Sequence, residues 1–301
     1  MKASRRRVMG SLAALAIAPL GAPLGAPRAA TKAGFSLKCF ATDWGNQAPY
    51  EEFCAKARAA GFDGVETWVS LDVAKHNATV ASIRRHGLDV GLLIGGREPD
   101  PAAHLATFSA QLPVALASKP AYVNCHTGRD WFDAAQNQRF FDLTHEAAGR
   151  SGIPIHHETH RSRALYSASV ARGFLRRDPA LRLTFDVSHW CVVSESLLAD
   201  QAEAVELAIS RSDHIHARVG QAQAPQVGDP RAPEWAQALN AHLAWWDRIV
   251  ELKRSAGAPL TMLTEFGPVP YMPGLPYTRE PVADAWQINV WMMELFRKRY
   301  A

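Results

Sequence analysis

The chain has 301 residues, long enough for one large domain with a full core. Its formal net charge of +4 misleads, because residues 1–30 hold Lys2, Arg5, Arg6, Arg7 and Arg28 and no acid; taking these five from the 33 basic residues leaves 28 against 29 acidic ones, a net of −1. That balance excludes a global bias toward nucleic acid, and no apolar run beyond residue 30 approaches membrane length, so the mature form is expected to have no membrane partner.

Strands are predicted at 36–42, 63–68, 88–94, 121–126, 153–161, 181–187, 213–218 and 259–266. Helices are predicted between them at 49–60, 73–86, 101–118, 133–150, 165–177, 196–210 and 233–256, with a closing helix at 281–298. Gly61 and Gly87 stop the first two helices. Eight strand–helix units over this length are the signature of an α/β protein built as a single (β/α)₈ TIM barrel. A doubly wound open sheet is the runner-up, but no Gly-x-Gly-x-x-Gly follows the first strand. The one irregular segment, 220–233, is rich in Gly and Pro and reads as a lid or a subunit contact, the latter in a homodimer.

The first thirty residues are a different matter. Ser4-Arg5-Arg6-Arg7 is followed by an Ala-rich apolar run from Ser11 to Leu20 and then by Gly, Ala and Pro, the layout of an export signal. The arginine pair after Ser4 resembles a twin-arginine signal, so a periplasmic protein is expected, with a signal at 1–30 and the barrel at 31–301. Export permits disulfides, but Cys39, Cys54, Cys125 and Cys191 are scattered and most fall in or near predicted strands, where buried free thiols are expected.

Chemistry is concentrated where the later strands end. The stretch Ile153-Pro-Ile-His-His-Glu-Thr-His-Arg161 places His156, Glu158 and His160 on one face of its strand. The runs ending in Asp186, His216 and Glu265 do the same with one acid or imidazole each. Barrel active sites lie at the C-terminal ends of the strands, and a buried carboxylate among imidazoles is costly without a cation or polar network. Glu158, Asp186, His216 and Glu265 are therefore candidate ligands of one divalent metal ion. An oxygen-rich set with a single imidazole suits Mn²⁺ or Mg²⁺ foremost, with Co²⁺ or Zn²⁺ as alternatives.

Around these, His189 is read as a contact to the metal ligands or substrate, and Glu66 and His126 as substrate contacts at the ends of strands two and four. Trp44, Trp68, Trp131 and Trp190 each fall just beyond a strand end, so four indoles are expected to ring the mouth, where aromatic faces pack on sugar rings. Arg129, Arg161, Arg163 and Arg218 lie near the same face, and one or two are candidates to bind a carboxylate or phosphate. A small carbohydrate or glycoside is the expected partner.

The segments His156-His-Glu158-Thr-His-Arg161, Asp186-Val-Ser-His189-Trp, His214-Ile-His216 and Thr264-Glu265-Phe-Gly resemble the sugar phosphate isomerase/epimerase superfamily of xylose-isomerase-like TIM barrels. The resemblance covers nearly the whole mature chain. It implies one metal held by Glu158, Asp186, His216 and Glu265, with the two glutamates as acid/base groups on opposite faces of a bound sugar. Members more often carry His-x-Lys-Asp on strand seven, whereas this chain has His216-Ala-Arg218-Val.

The expected chemistry is removal of the proton alpha to a carbonyl by a carboxylate, while the metal stabilises the developing enolate as a Lewis acid. Return of the proton gives an isomerase or epimerase; expulsion of a group beta to the carbonyl gives a lyase or hydratase acting on 3-keto-glycosides. Two rivals stand apart. A barrel endonuclease would need further His and Asp ligands on strands two, three and seven, where Leu93-Ile-Gly offers no imidazole and His216-Ala-Arg218 no acid. A non-catalytic sugar-binding protein has no need of the ligand quartet.

Overall fold

Eight parallel strands close on themselves in sequence order in a computed structural model that describes residues 34–300. The predicted export signal at residues 1–30 lies outside the described residues. The strands are β1 (Ser36–Thr42), β2 (Gly64–Trp68), β3 (Asp89–Gly95), β4 (Tyr122–His126), β5 (Ile155–Glu158), β6 (Leu183–Phe185), β7 (Ser212–Ala217) and β8 (Pro259–Thr264). Around them lie α1 (Tyr50–Ala60), α2 (Val73–Arg85), α3 (Pro101–Ala117), α4 (Ala134–Ser151), α5 (Ala168–Arg177), α6 (Val187–Val193), α7 (Ala202–Ser210), α8 (Ala236–Ala256) and α9 (Ala285–Tyr300).

Local signals fix the helix ends. Asp72, Asp100 and Ser167 accept backbone hydrogen bonds at the starts of α2, α3 and α5, and Asp133 with Gln136 forms a capping box on α4. Gly61 ends α1 at φ 98°, a left-handed conformation that glycine adopts without steric cost. Most of the apolar core lies between strands and helices as one continuous cluster. Inside the barrel, Phe40, Tyr122 and Leu263 form a separate small cluster. Gly64 and Gly91 make room for it: a Cβ at Gly64 would sit 2.2 Å from the Phe40 ring, and one at Gly91 2.5 Å from the Tyr122 hydroxyl.

Several boundaries differ from the sequence reading: strand five is confined to Ile155–Glu158 within the predicted 153–161, and α8 starts at Ala236 rather than 233, after a 3₁₀ turn at Pro233–Trp235. Strand six is short, and Asp186 leaves it to cap α6, accepting from Ser188 N at 3.1 Å. Helix α5 starts at Ala168, three residues late, because Ser167 provides its cap. Helix α7 starts at Ala202 rather than 196, after a 3₁₀ turn at Ala199–Gln201. Helix α9 starts at Ala285 rather than 281, because Pro281 is bridged to Gly274 in the loop after β8. All four cysteines are buried and free. Among the described residues no helix is long and apolar enough to cross a membrane.

Candidate active site

Strands five to eight bring Glu158, Asp186, His216 and Glu265 together, with one potential ligand atom from each within 4.8 Å of the others. Parity along β5 and β7 aims Glu158 and His216 into the barrel mouth, and Asp186 and Glu265 follow directly on the ends of β6 and β8. Nδ1 of His216 faces Glu265 Oε2 at 3.0 Å and Glu158 Oε2 at 3.4 Å, while its Nε2 faces Glu66 Oε1 at 3.3 Å. His214, one step deeper, lies 3.5 Å from the other Glu66 oxygen. Glu66 thus orients the imidazole from below and leaves Nδ1 toward the carboxylate pair, an arrangement that suits a metal-ligating histidine.

The donor set fits a divalent cation. Glu158 Oε1, Glu265 Oε2 and His216 Nδ1 are buried and make no hydrogen bond among the described residues. Glu265 Oε2 and His216 Nδ1 meet each other only as an ion-pair contact at 3.0 Å, and Glu158 Oε1 meets no partner among the described residues. Carboxylate oxygens so placed are costly to bury, and a cation that displaced the imidazole proton would satisfy all three atoms at once. Burial alone lowers the basicity of His216, yet Glu265, Glu158 and Glu66 hold it well above its ordinary value. Burial likewise opposes ionisation of Glu66, but His216 and His214 hold its carboxyl down at about 2.

Asp186 is more heavily engaged. Its Oδ1 accepts from the backbone and hydroxyl of Ser188, and its Oδ2 accepts from Nη2 of Arg218. Arg218 also lies 3.4 Å from Glu265 Oε2 and 2.8 Å from His189 Nε2. Although burial opposes its charge, Asp186 and Glu265 keep this guanidinium cationic. A fixed positive charge therefore rests against two of the four candidate ligands, and Asp186 can offer a metal only its remaining lone pairs.

A cavity of ≈ 400 Å³ opens above this floor. Of the predicted contacts, Glu66, His160, Arg218, Glu265, Trp44 and Trp68 line it. His126 stands beside it, with Nε2 3.0 Å from Glu158 Oε2 and its ring edge-on to Trp68 at 5.1 Å. Arg161 stacks over Tyr271 at 4.7 Å. His189 is fully buried under His160, ring centroids 3.8 Å apart. Two tryptophans correct the expected ring of four. Trp190 is fully buried: it falls on α6, donates from its indole N–H to Leu165 O at 2.8 Å and packs on Phe185. Trp131 is 60% exposed beside Arg129 and outside the cavity lining.

Three site residues have no place in the sequence reading. Asn124 donates from its amide to Glu158 Oε2 at 2.8 Å and lies 3.1 Å from His216 Nε2; it shares a face of β4 with His126, so strand parity was the available signal. Asp43 lines the cavity just past β1, where burial pushes its carboxyl up to about 6 and Tyr50 donates to it at 3.2 Å. Tyr271 comes from the loop after β8 and meets Trp44 edge-on at 4.7 Å, a placement no local pattern announces.

Solved structures of similar fold include a D-psicose 3-epimerase studied with D-fructose, with 15% identity, a TM-score of 0.57, and coverage of 87% of this chain and 99% of that one. A 3-keto-D-glucoside 4-epimerase from E. coli has 14% identity, a TM-score of 0.58, and coverage of 87% and 100%. A probable 3-DHS dehydratase of petrobactin synthesis from Bacillus anthracis has 14% identity, a TM-score of 0.55, and coverage of 87% and 99%. At such identities the likeness is one of fold. No curated protein matches the chain. Residues 54–233 match the family model described as xylose isomerase-like TIM barrel, and the chain belongs to that family.

Proposed function

We propose that this chain is a divalent-metal-dependent enzyme of the sugar isomerase/epimerase type, which removes a proton alpha to a carbonyl of a carbohydrate. The observation that carries the reading is the pair Glu158 and Glu265, set against one imidazole nitrogen at 3.4 and 3.0 Å beneath a cavity walled by two indoles. The residues that would hold the metal are Glu158, His216 and Glu265, with Asp186 sharing its oxygens with Arg218. Bound there, Mn²⁺ or Mg²⁺ supplies Lewis-acid polarisation of the substrate carbonyl.

The chain's own groups do the rest. Glu158 and Glu265 come from strands three positions apart, so each reaches the substrate from its own side and can take or return a proton. Asn124 and His126 hold Glu158 in place. Glu66, Trp44 and Trp68 form walls that orient the sugar and exclude water. The missing ligands on strands three and seven, where Leu93 and Arg218 line the cavity, speak against a nuclease.

The test is proton NMR in deuterium oxide on metal-saturated protein, with a panel of ketoses and 3-keto-glycosides. Wild type should exchange the alpha proton. Glu158→Gln and Glu265→Gln should each lose about 10²–10⁴-fold in turnover at full metal occupancy, one losing exchange and the other keeping exchange without product. Full turnover in both variants would remove the glutamates as acid/base groups, and an unsaturated product in wild type would mark a lyase instead. A periplasmic location belongs to the same proposal and rests on the leader sequence. Replacing Arg5 and Arg6 with Lys should then hold the precursor in the cytoplasm, as fractionation would read.

A further inference from the structure

The cavity over the candidate metal ligands has a neighbour. A second, wider cleft of ≈ 1050 Å³ opens between the loop after β1, helix α1 and the loop leading into α9. The two hollows share Thr42 and Trp44 as their common wall. That wall is held from behind: a Cβ on Gly267 would fall 2.1 Å from the Trp44 ring, so the indole lies directly on this backbone, and Tyr271 meets it edge-on at 4.7 Å. Trp44 nevertheless keeps 37% of its surface exposed, which leaves a route over its edge from one hollow to the other.

The outer cleft carries the chemistry of a carbohydrate contact. Trp286 forms part of its wall, with the Lys56 ammonium 4.2 Å from the ring centroid. Gln47, Glu52 and Lys56 line it, and their side chains make no hydrogen bond or ion pair among the described residues. An amide, a carboxylate and an ammonium beside an indole supply donors and acceptors for hydroxyls next to an apolar surface. The inner cavity, at ≈ 400 Å³, lies at the small end of the 300–1,000 Å³ common for ligand pockets and suits a single sugar ring. The outer cleft is more than twice as large and contains none of the four candidate metal ligands.

We infer that the substrate is a glycoside of at least two rings. Its reacting sugar occupies the inner cavity, and its second sugar or aryl aglycone crosses the exposed edge of Trp44 to lie in the outer cleft against Trp286, Gln47 and Lys56. This rests on reading the inner cavity as a sugar site. It makes Lys56 and Gln47 specificity-determining residues far from the proton-transfer chemistry.

The test measures binding by calorimetry on metal-loaded protein, with methyl 3-keto-β-D-glucoside as a one-ring probe and p-nitrophenyl 3-keto-β-D-glucoside and 3-ketocellobiose as two-ring probes. Wild type should bind at least one two-ring probe about tenfold more tightly than the one-ring probe, a difference of about 1.4 kcal/mol. The Gln47→Ala/Lys56→Ala protein should lose most of that ratio; both side chains are exposed, so the fold should survive the change. Equal affinities in wild type, or a ratio that the double variant leaves intact, would overturn the two-ring assignment while leaving the inner site standing. Failure of all three probes to bind would overturn the sugar reading itself and this inference with it.

Discussion

Arg218 is the residue whose removal says most about the site. Its guanidinium is 1% exposed and rests on Asp186 and Glu265, two of the four candidate metal ligands. Taking one partner from a buried ion pair costs about 3–5 kcal/mol, because the remaining charge is left unpaired. Arg218→Ala should therefore lose that much stability in the presence of a chelator. Metal binding should move the other way. A unit charge at ~4 Å repels another by about 4 kcal/mol at an effective dielectric of 20, and a doubly charged ion feels it more. Relief of that repulsion, together with the freed Asp186 oxygen, should tighten Mn²⁺ binding by at least on the order of 10²-fold. The metal-induced rise in Tm should grow accordingly, since stabilisation follows RT ln(1 + [L]/Kd). Arg218→Lys, which keeps the charge, should stay near wild type in metal affinity. Calorimetric titration with Mn²⁺ and melts with and without chelator check both arms. If Arg218→Ala binds metal more weakly, Arg218 positions Asp186 as a ligand and the electrostatic reasoning fails.

Other substitutions probe the frame around this centre. Trp190→Phe removes the indole N–H from the Leu165 carbonyl and should cost about 1–3 kcal/mol in stability with KM unchanged; a raised KM without lost stability would return that indole to the mouth. Gly267→Ala would drive a Cβ to within 2.1 Å of the Trp44 ring, so kcat/KM should fall while metal affinity holds. At the base of the barrel, burial opposes ionisation of Asp213, but Arg182 and Lys253 hold its carboxyl well below the usual 3.8. An acid depressed in the folded state stabilises above its unfolded value and loses that contribution as pH falls through it toward the folded one. Asp213→Asn should therefore lower Tm at pH 7 in chelator, and the gap from wild type should narrow below about pH 4.

The barrel was legible because eight apolar runs alternate with helical segments, and the last four runs lead into Glu158, Asp186, His216 and Glu265, of which parity aims Glu158, His216 and Glu265 inward. Parity also set His157 on the opposite face of β5, where it packs on Phe141 and Thr144 of α4. Trp190 was misplaced because distance along the chain from a strand end stood in for position in space. Asp186 starts a helix, and four residues along a helix is one turn inward, into the core. Tyr271 was illegible for the complementary reason: it lies six residues beyond Glu265 in a loop with no period, and packing against Trp44, Arg161 and Arg218, from three other segments, brings it to the site.

The charges on the floor of the mouth explain why the site should take up a divalent ion and how that uptake should depend on pH. Four carboxyl groups, Glu66, Glu158, Asp186 and Glu265, converge there against the fixed cation Arg218, and burial pushes Asp186 up to about 7 although Arg218 pulls it down. The balance is negative, and without metal it is met in part by a proton: three of those carboxylates hold His216 well above its ordinary 6.5. A metal on Nδ1 must displace that proton and replaces one positive charge with two. Binding should therefore release at least about one proton per ion near neutral pH, one from His216 and a further fraction from Asp186, and affinity should rise at least about tenfold per pH unit up to the folded value of His216. Calorimetric titration with Mn²⁺ at pH 7 in two buffers of different ionisation enthalpy measures that release directly. Release of no proton would mean that His216 is already neutral, so that the carboxylates are screened by something other than its imidazolium.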